Sequence, residues 1–228
     1  MLPQVSSEPE FVVHQLPYRK PTLGRDYWIV DDVLPDVQAV RDRTLQRDDW
    51  AAGFPHTKES WPGHRVMPGL LADELDTVET AMRRVTGVRK LWIGDTGDGR
   101  TLNHNCIQVV GRHEGQVRPH TDSRLLCRYA GVLYLSPEVP EACGTSFFRM
   151  RTPTGQLGGN TVPAPNATLV DALGTRYVPQ DAFAEDVRVP YRFNRLLVYA
   201  ANIIHSASAY CGEHFEDMRM AGVFFWMS

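Results

Sequence analysis

The residues with the clearest chemical potential lie in a short segment of the second half of the chain, where His120 and Asp122 are two positions apart. In an extended strand, residues i and i+2 point to the same face. The imidazole and the carboxylate would therefore point at one spot, as two ligands of one metal ion must. A single His-x-Asp pair is common by chance, so it predicts a metal site only if the chain supplies a third ligand.

A candidate for that third ligand is His205, which follows the apolar, strand-like run 202–204. Taken alone, a histidine at a strand end is more often a hydrogen-bonded side chain than a ligand. With His120 and Asp122 it completes a set of two imidazoles and one carboxylate. Such a set on one side of a metal, with the other positions open, is typical of non-haem Fe(II) oxygenases.

A buried cation is the next candidate functional group, because Arg219 begins the apolar run that predicts the last strand. Its side chain would share one face of that strand with Ala221 and Val223. If that face points inward, the guanidinium needs a partner, since an unpaired buried charge is very costly. A small-molecule carboxylate fits the guanidinium through two parallel hydrogen bonds. An ion pair with Asp217 or Glu216 is the structural alternative, and Arg219 alone would favour it.

These candidate ligands must be positioned by the elements that the rest of the sequence predicts. Apolar residues at helical spacing predict two helices in the first half, one beginning at Pro35 and one over 71–85. Short β-branched and aromatic runs predict strands. The predicted strands cover 27–30, 90–93, 105–110, 117–122, 129–135, 145–149, 195–200 and 219–227.

Segment 150–190 is rich in Gly, Pro, Asn and Thr, with weak strand signals near Leu169 and Tyr177. We expect an insertion there, which in proteins is usually functional or mobile. A helical first part followed by many short strands favours a mainly β protein with flanking helices, built on a jelly-roll or sandwich core.

Composition places the chain among ordinary globular proteins. It has 228 residues, 43% hydrophobic and 22% charged, as expected of one domain. The 24 basic and 27 acidic residues give a formal net charge of −3 with no basic block, so nucleic-acid binding has no support. No run is long and apolar enough for a membrane span, and the first twenty residues lack the apolar core of a signal peptide, so we expect a cytoplasmic protein. The four cysteines lack paired metal spacing, which favours free thiols.

Taken together, the motifs resemble the Fe(II)/2-oxoglutarate-dependent oxygenases, most closely the prolyl-4-hydroxylase-like branch. The resemblance runs from about Gln108 to the C-terminus. It is carried by 115–122 (GQVRPHTD), 132–136 (VLYLS), 143–147 (CGTSF), 202–206 (NIIHS) and Arg219. More loosely, 27–35 (YWIVDDVLP) and 61–65 (WPGHR) look like an uncharacterised bacterial group within this superfamily.

The resemblance implies a double-stranded β-helix, the jelly-roll of the cupin type, in a single domain over 1–228. Within it, 1–89 would be an N-terminal arm with supporting helices, and 90–228 would be the core with the insertion 150–190. The implied cofactors are Fe(II), the cosubstrate 2-oxoglutarate and O₂.

The resemblance also implies roles for individual residues. His120, Asp122 and His205 would be the iron ligands and the catalytic centre. Arg219 would form a salt bridge with the distal carboxylate of 2-oxoglutarate, and Tyr134 would donate a hydrogen bond to it. Many relatives carry Ser or Thr two residues after the arginine, whereas this chain has Ala221, so one hydroxyl is lost but the ion pair is not.

The substrate and its binding residues are the least defined part of the prediction. Arg65, Arg124 and His104 are candidate substrate-binding residues, each with a structural role left open. If Arg65 or Arg124 faces the pocket, it would suit a carboxylate-bearing substrate such as an amino acid. We therefore expect hydroxylation of a free, carrier-bound or peptidyl amino acid or a related small metabolite. Desaturation or ring formation would use the same ligands, whereas the Asp122 carboxylate disfavours halogenation.

Two other classes of function stay open at this point. One is a non-catalytic, cupin-like protein that binds a metal or another ligand in the same barrel. The other is a zinc hydrolase with the same three ligands, which would leave Arg219 unexplained.

Overall fold

Two antiparallel sheets form the centre of the computed structural model, which describes residues 16–53, 61–152 and 154–228. In chain order the strands are β1 (Tyr27–Val30), β2 (Ala51–Ala52), β3 (His64–Val66), β4 (Cys106–Val110), β5 (Tyr129–Tyr134), β6 (Thr145–Met150), β7 (Phe183–Val189), β8 (Leu196–Ala200), β9 (His205–Ala207) and β10 (Arg219–Trp226). Within the described ranges the large sheet has the order β1-β8-β5-β10-β4-β3-β2, and the small sheet has the order β7-β6-β9. Side chains from both sheets meet in one apolar cluster, so the sheets enclose the inner core.

The large sheet is buried on both faces, and β5 shows this directly. Ala130, Val132 and Tyr134 belong to the inner cluster between the sheets, whereas Leu133 belongs to the cluster on the outer face. A strand that is buried on both faces needs apolar residues at every position instead of alternate ones. This explains why 129–135 is a continuous apolar run in the sequence.

Helices cover the outer face of the large sheet. They are α1 (Val37–Leu45) and α2 (Ala72–Thr86), and a short helix α3 (Leu169–Leu173) lies further along the chain. Val78 and Met82 of α2 are fully buried in the outer cluster with Phe224, as the helical spacing predicts. No helix in the described part of the chain is long and apolar enough to cross a membrane.

Helix boundaries follow local hydrogen bonding. Helix α1 begins two residues later than predicted from Pro35, because the Asp36 carboxylate caps it by accepting a hydrogen bond from the Ala39 amide (3.0 Å). Helix α2 ends at Gly87, whose φ of 74° is the left-handed conformation that glycine adopts without strain.

Segment 150–190 contains more regular structure than the sequence predicted. Strand β7 pairs along the whole of β6, and Leu169 begins helix α3. Tyr177 lies outside the strands, so the weak strand signals at Leu169 and Tyr177 were wrong. Strand β7 is an edge strand with three charged residues, Glu185, Asp186 and Arg188, so its sequence resembles the polar segment around it more than a strand.

Two other predicted strands are reduced to single bridges. In segment 90–93 only Trp92 pairs, with Met227, and in segment 117–122 only His120 pairs, with His205. Pro119 lies in the second segment and has no amide hydrogen to donate to a ladder, which limits pairing there.

A backbone contact at the start of β6 gives a test of this packing. A Cβ at Gly144 would lie 2.0 Å from the Val189 carbonyl oxygen and 2.8 Å from the Tyr191 amide nitrogen. We expect Gly144→Ala to lower the free energy of unfolding by about 1–3 kcal/mol, because the backbone must shift. The control is Gly158→Ala, where the nearest atom would be 3.4 Å away and the change should stay within about 0.5 kcal/mol. Urea denaturation measures both, and equal effects would contradict the packing described.

Candidate metal centre

His120, Asp122 and His205 are brought together by backbone pairing between two segments distant in the sequence. The His120 amide donates to the His205 carbonyl (3.0 Å), and the His205 amide donates to the His120 carbonyl (2.8 Å). The Asp122 amide donates to the carbonyl of Ala201, in the turn between β8 and β9 (3.0 Å). These three hydrogen bonds fix the backbone that carries all three side chains.

The donor atoms of the three side chains lie within 4.8 Å of one another. His120 Nε2 is 3.9 Å from Asp122 Oδ1, and His205 Nε2 is 3.5 Å from Asp122 Oδ2. Each imidazole places its other nitrogen, Nδ1, 2.8 Å from a backbone carbonyl oxygen, that of Arg118 for His120 and that of Ile203 for His205. A ring nitrogen that faces a carbonyl carries the proton, so each Nε2 keeps a lone pair for a metal.

The unsatisfied groups of this cluster fit a divalent cation. Asp122 Oδ2 is buried without a hydrogen-bond partner among the described residues, and such atoms are rare in folded proteins. Two ligand atoms that each lie about 2.1 Å from one ion, with a right angle between the two bonds, are about 3 Å apart. The donor atoms of this cluster must therefore approach one another by about 1 Å when a metal binds. Two imidazoles and one carboxylate suit Fe(II) and similar metals.

Burial holds the three groups in the protonation states that bind metals. Burial, and to a smaller extent the neighbouring His205, lower the pKa of His120 to about 4. Burial likewise lowers the pKa of His205 to about 4, so both imidazoles are neutral at neutral pH. Burial raises the pKa of Asp122 to about 6, against the effect of His120. At pH 7 the site therefore presents neutral imidazoles and a carboxylate, which are the ligand forms.

Two aromatic rings pack against the histidines. The ring centroid of Tyr199 is 4.5 Å from that of His205, and the centroid of Trp61 is 4.9 Å from that of His120. These contacts limit rotation of the imidazoles. The His205 side chain is 4% exposed, whereas that of His120 is 29% exposed. The sequence analysis did not single out Tyr199, although its position two residues after Leu197 on β8 places it on the inner face.

Arg219 is 2% exposed and begins β10. Its Nε donates to the Cys143 carbonyl (2.8 Å), and its guanidinium carbon lies 5.5 Å from the centroid of the Tyr134 ring. One terminal nitrogen is buried without a hydrogen-bond partner, and no carboxylate of the described residues lies within 4.0 Å of the guanidinium. The ion pair with Asp217 or Glu216 is therefore not formed, and the guanidinium keeps a buried hydrogen-bond donor for which the described residues supply no acceptor.

A polar group forms around Arg219 at the inner end of the site. The Tyr134 hydroxyl donates to the Thr145 hydroxyl (2.9 Å), and both side chains are buried. Burial raises the pKa of Tyr134, although the charge of Arg219 opposes this, so the hydroxyl stays protonated. Thr145 pairs with Ala207, on the strand that begins at His205. The sequence analysis missed Thr145, which directly follows the Cys143-Gly144 turn.

Comparison with known proteins shows which family the chain belongs to. A protein-family model matches residues 15–222, and its description is a family of unknown function, DUF6445. The chain belongs to the DUF6445 family. No curated protein sequence matches it.

Solved structures show which fold this DUF6445 chain has. The epimerase SnoN from nogalamycin biosynthesis, a non-haem, alpha-ketoglutarate-dependent enzyme, is 17% identical over 90% of this chain and 79% of its own, with a TM-score of 0.53. The carbocyclase SnoK from the same biosynthesis, with the same dependence, is 15% identical over 90% and 80%, with a TM-score of 0.51. HygX from Streptomyces hygroscopicus, solved with nickel, 2-oxoglutarate and hygromycin B, is 15% identical over 89% and 83%, with a TM-score of 0.49.

The likeness to SnoN and SnoK confirms the predicted fold class, a mainly β, jelly-roll core with flanking helices. Both of these enzymes are described as alpha-ketoglutarate-dependent, so the chain shares its fold with two such enzymes.

Of the three candidate substrate residues, Arg65 lies on the inner face. Arg65 pairs with Gln108, Gln108 with Ala221, and Ala221 with Tyr134, so the four form one row across β3, β4, β10 and β5. The Arg65 guanidinium donates to the Gln108 side chain (2.9 Å) and to carbonyls of its own loop. Burial lowers its pKa. Arg65 thus belongs to the inner wall of the barrel and already has structural partners.

Tyr210, which the sequence analysis also missed, lies within electrostatic range of both Arg65 and Arg219. The pKa of Tyr210 is raised by burial, and the positive charges of Arg219 and Arg65 oppose this rise only in part. Its ring packs against Gly115, where a Cβ would lie 2.7 Å from the ring.

His104 and Arg124 are not brought together with the three metal-ligand candidates. The His104 ring packs against Phe224 and Trp226 on the outer face of the large sheet, and its Nδ1 contacts the Phe225 backbone. Arg124 follows Asp122 by two residues, but it contacts the Asn166 carbonyl (3.3 Å) and lines a separate cavity.

The ligand assignment predicts a specific loss of metal affinity. We expect His205→Ala to weaken Mn(II) binding at least about a hundredfold. Loss of a residue that only hydrogen-bonds to a metal ligand already lowers metal affinity about 10–100-fold, and loss of the ligand itself should cost more. His113→Ala is the control, since His113 is exposed and outside the cluster, and it should bind like the wild type. Electron paramagnetic resonance of free Mn(II) measures both affinities. Equal affinities in the two variants would contradict the assignment.

Proposed function

We propose that this chain is a non-haem Fe(II) enzyme that uses 2-oxoglutarate and O₂ to hydroxylate a C–H bond of an amino acid, a peptidyl or carrier-bound group, or a related small metabolite. The observation that carries the proposal is the open nitrogen of buried Arg219 on the inner face of a barrel that also holds two imidazoles and a carboxylate. The fold shared with two alpha-ketoglutarate-dependent enzymes supports it.

In this proposal the two parts of the site hold different partners. His120, Asp122 and His205 hold the iron through two nitrogens and one carboxylate oxygen. Arg219 binds the distal carboxylate of 2-oxoglutarate through its open nitrogen, and the Tyr134 and Thr145 hydroxyls supply further hydrogen bonds. Thr145 then replaces the hydroxyl that relatives place at the position of Ala221.

When bound, iron and 2-oxoglutarate supply the oxidising chemistry, in which O₂ converts the keto acid to succinate and CO₂ and one oxygen atom enters the substrate. The chain orients the reactants. The carbonyls that face His120 and His205 at Nδ1 hold each ring with Nε2 towards the metal. Tyr199 and Trp61 pack against the imidazoles and limit their rotation.

The outcome at the substrate is the finer part of the proposal. Asp122 supplies a carboxylate ligand, which favours hydroxylation over halogenation. SnoN and SnoK are described as an epimerase and a carbocyclase, so this fold serves other outcomes as well. Product mass separates them, because hydroxylation adds one oxygen, ring formation by oxidation removes two hydrogens, and epimerisation leaves the mass unchanged.

Turnover is the direct test of this function. The protein is incubated anaerobically with Fe(II), 2-oxoglutarate and mixtures of amino acids, peptides and small metabolites, and then exposed to O₂. We expect succinate formation coupled to a substrate that gains one oxygen. His120→Ala and Asp122→Ala should abolish both, and His113→Ala should keep them. Full turnover in a ligand variant would refute the assignment, and metal and 2-oxoglutarate binding without O₂ consumption would indicate a binding protein.

The role of Arg219 predicts a loss confined to the cosubstrate. Arg219→Gln should weaken 2-oxoglutarate binding to the Mn(II)-loaded protein about a hundredfold, because hydrogen bonds to a charged group contribute about 1.5–3 kcal/mol each. Tyr134→Phe, which removes a neutral donor, should weaken it about three- to tenfold. Isothermal titration calorimetry measures both. Unchanged 2-oxoglutarate affinity in Arg219→Gln, with Mn(II) affinity intact, would remove Arg219 from the site.

A further inference from the structure

A cavity of about 540 Å³ lies at the end of the barrel where β8 ends and β5 begins. Its wall includes Ala200, the last residue of β8, Tyr129, the first residue of β5, and Met227, which follows β10. This volume is in the range of small-molecule sites. The charged side chains of the wall are Arg19, Arg25, Arg124, Arg128 and Asp26.

The arginines of this wall are only partly neutralised. Asp26 is buried, and its two oxygens are occupied by Arg19 (Oδ1, 2.8 Å) and Arg25 (Oδ2, 2.8 Å). Within the described ranges, no carboxylate lies within 4.0 Å of Arg124 or Arg128. One carboxylate therefore faces four guanidinium groups, and the wall has an excess of three positive charges.

Neither Arg124 nor Arg128 is held in place by a strong partner. The Arg124 guanidinium reaches one carbonyl oxygen, that of Asn166, at 3.3 Å. The guanidinium carbon of Arg128 lies 5.6 Å from the centroid of the Tyr129 ring, and the residue is exposed. Most of their hydrogen-bond donors are thus available to a ligand in the cavity.

Such a concentration of charge is unusual in this chain, whose formal net charge is −3. Like charges around one concave wall repel one another, and an anion in the cavity removes that repulsion. Guanidinium groups match phosphate and carboxylate oxygens through paired hydrogen bonds. We propose that this cavity binds the anionic group, a phosphate or a carboxylate, of a small molecule.

The cavity adjoins the segments that carry the metal-ligand candidates. Arg124 and Cys127 of its wall follow Asp122, and Asn202 and Ile203 precede His205. The Ile203 carbonyl is the one that faces His205 Nδ1. An anion in the cavity would therefore contact backbone that positions the metal centre, while its binding requires no metal and does not depend on the proposed reaction.

The test is isothermal titration calorimetry of the metal-free full chain with inorganic pyrophosphate and, separately, with citrate. We expect saturable binding of at least one probe, weakened about tenfold or more in the double variant R124Q/R128Q, because each arginine contributes charged hydrogen bonds. The charge-matched control is R84Q/R89Q, two exposed arginines outside the cavity, and it should change the affinity less than about twofold. A preference for pyrophosphate would assign a phosphate ligand, and a preference for citrate a carboxylate ligand.

Two results would overturn the proposal. One is the absence of saturable binding of both probes to the wild-type chain. The other is equal affinity in R124Q/R128Q and R84Q/R89Q, which would indicate binding at Arg219 or a response to overall charge. Circular dichroism verifies that the variants are folded. If R124Q/R128Q does not fold, R128Q alone is used, since the Arg128 side chain makes no hydrogen bond within the described residues, and about threefold weakening is expected.

Discussion

The backbone pairing of His120 with His205 is the interaction on which the site depends. Its two hydrogen bonds join segments that are distant in the sequence, and the hydrogen bond from the Asp122 amide to the Ala201 carbonyl aligns the third ligand candidate. Strand β9, which begins at His205, is anchored on its other side by β6. The small sheet thus supports His205 directly, and three backbone hydrogen bonds hold the segment of His120 and Asp122 beside it, so that the donor atoms of the three side chains lie within 4.8 Å of one another.

Burial explains why the same region needs ligands. A carboxylate oxygen of Asp122 and a guanidinium nitrogen of Arg219 are both buried without partners, and each is costly alone. In the proposed complex, a divalent metal ion satisfies Asp122 and a dicarboxylate satisfies Arg219. In the proposed complex the charges of the metal, Arg219, Asp122 and doubly ionised 2-oxoglutarate cancel, so the filled site places no net charge in the apolar core. With only the metal ion or only 2-oxoglutarate bound, the same site would carry a net charge of two units in the apolar core, which is unfavourable.

The sequence predicted those features that depend on local pattern and order. The spacing of Val78 and Met82 predicted helix α2, and the apolar run 129–135 predicted strand β5. The order of the His-x-Asp pair, His205 and Arg219 identified residues that lie in one barrel of the structure. It could not predict contacts that depend on pairing between strands. Thr145 and Tyr199 reach the site through the register of β6 with β9 and the inward face of β8.

Two other differences have physical causes of the same kind. Asn105 has a positive φ of 54°, so strand parity cannot be extended from β4 back to His104, whose ring lies on the outer face. Strand β7 forms because β6 offers it a partner, although three of its seven residues are charged. Tertiary pairing decides such edge strands more than their intrinsic preference does.

The most direct measurement of the central claim is anomalous X-ray diffraction from crystals grown anaerobically with Fe(II) and 2-oxoglutarate. The account predicts one iron peak about 2.1 Å from His120 Nε2, His205 Nε2 and an Asp122 oxygen, with the distal carboxylate of 2-oxoglutarate about 3 Å from the terminal nitrogens of Arg219. An iron peak elsewhere, or a bound keto acid that leaves Arg219 without an anion, would contradict it.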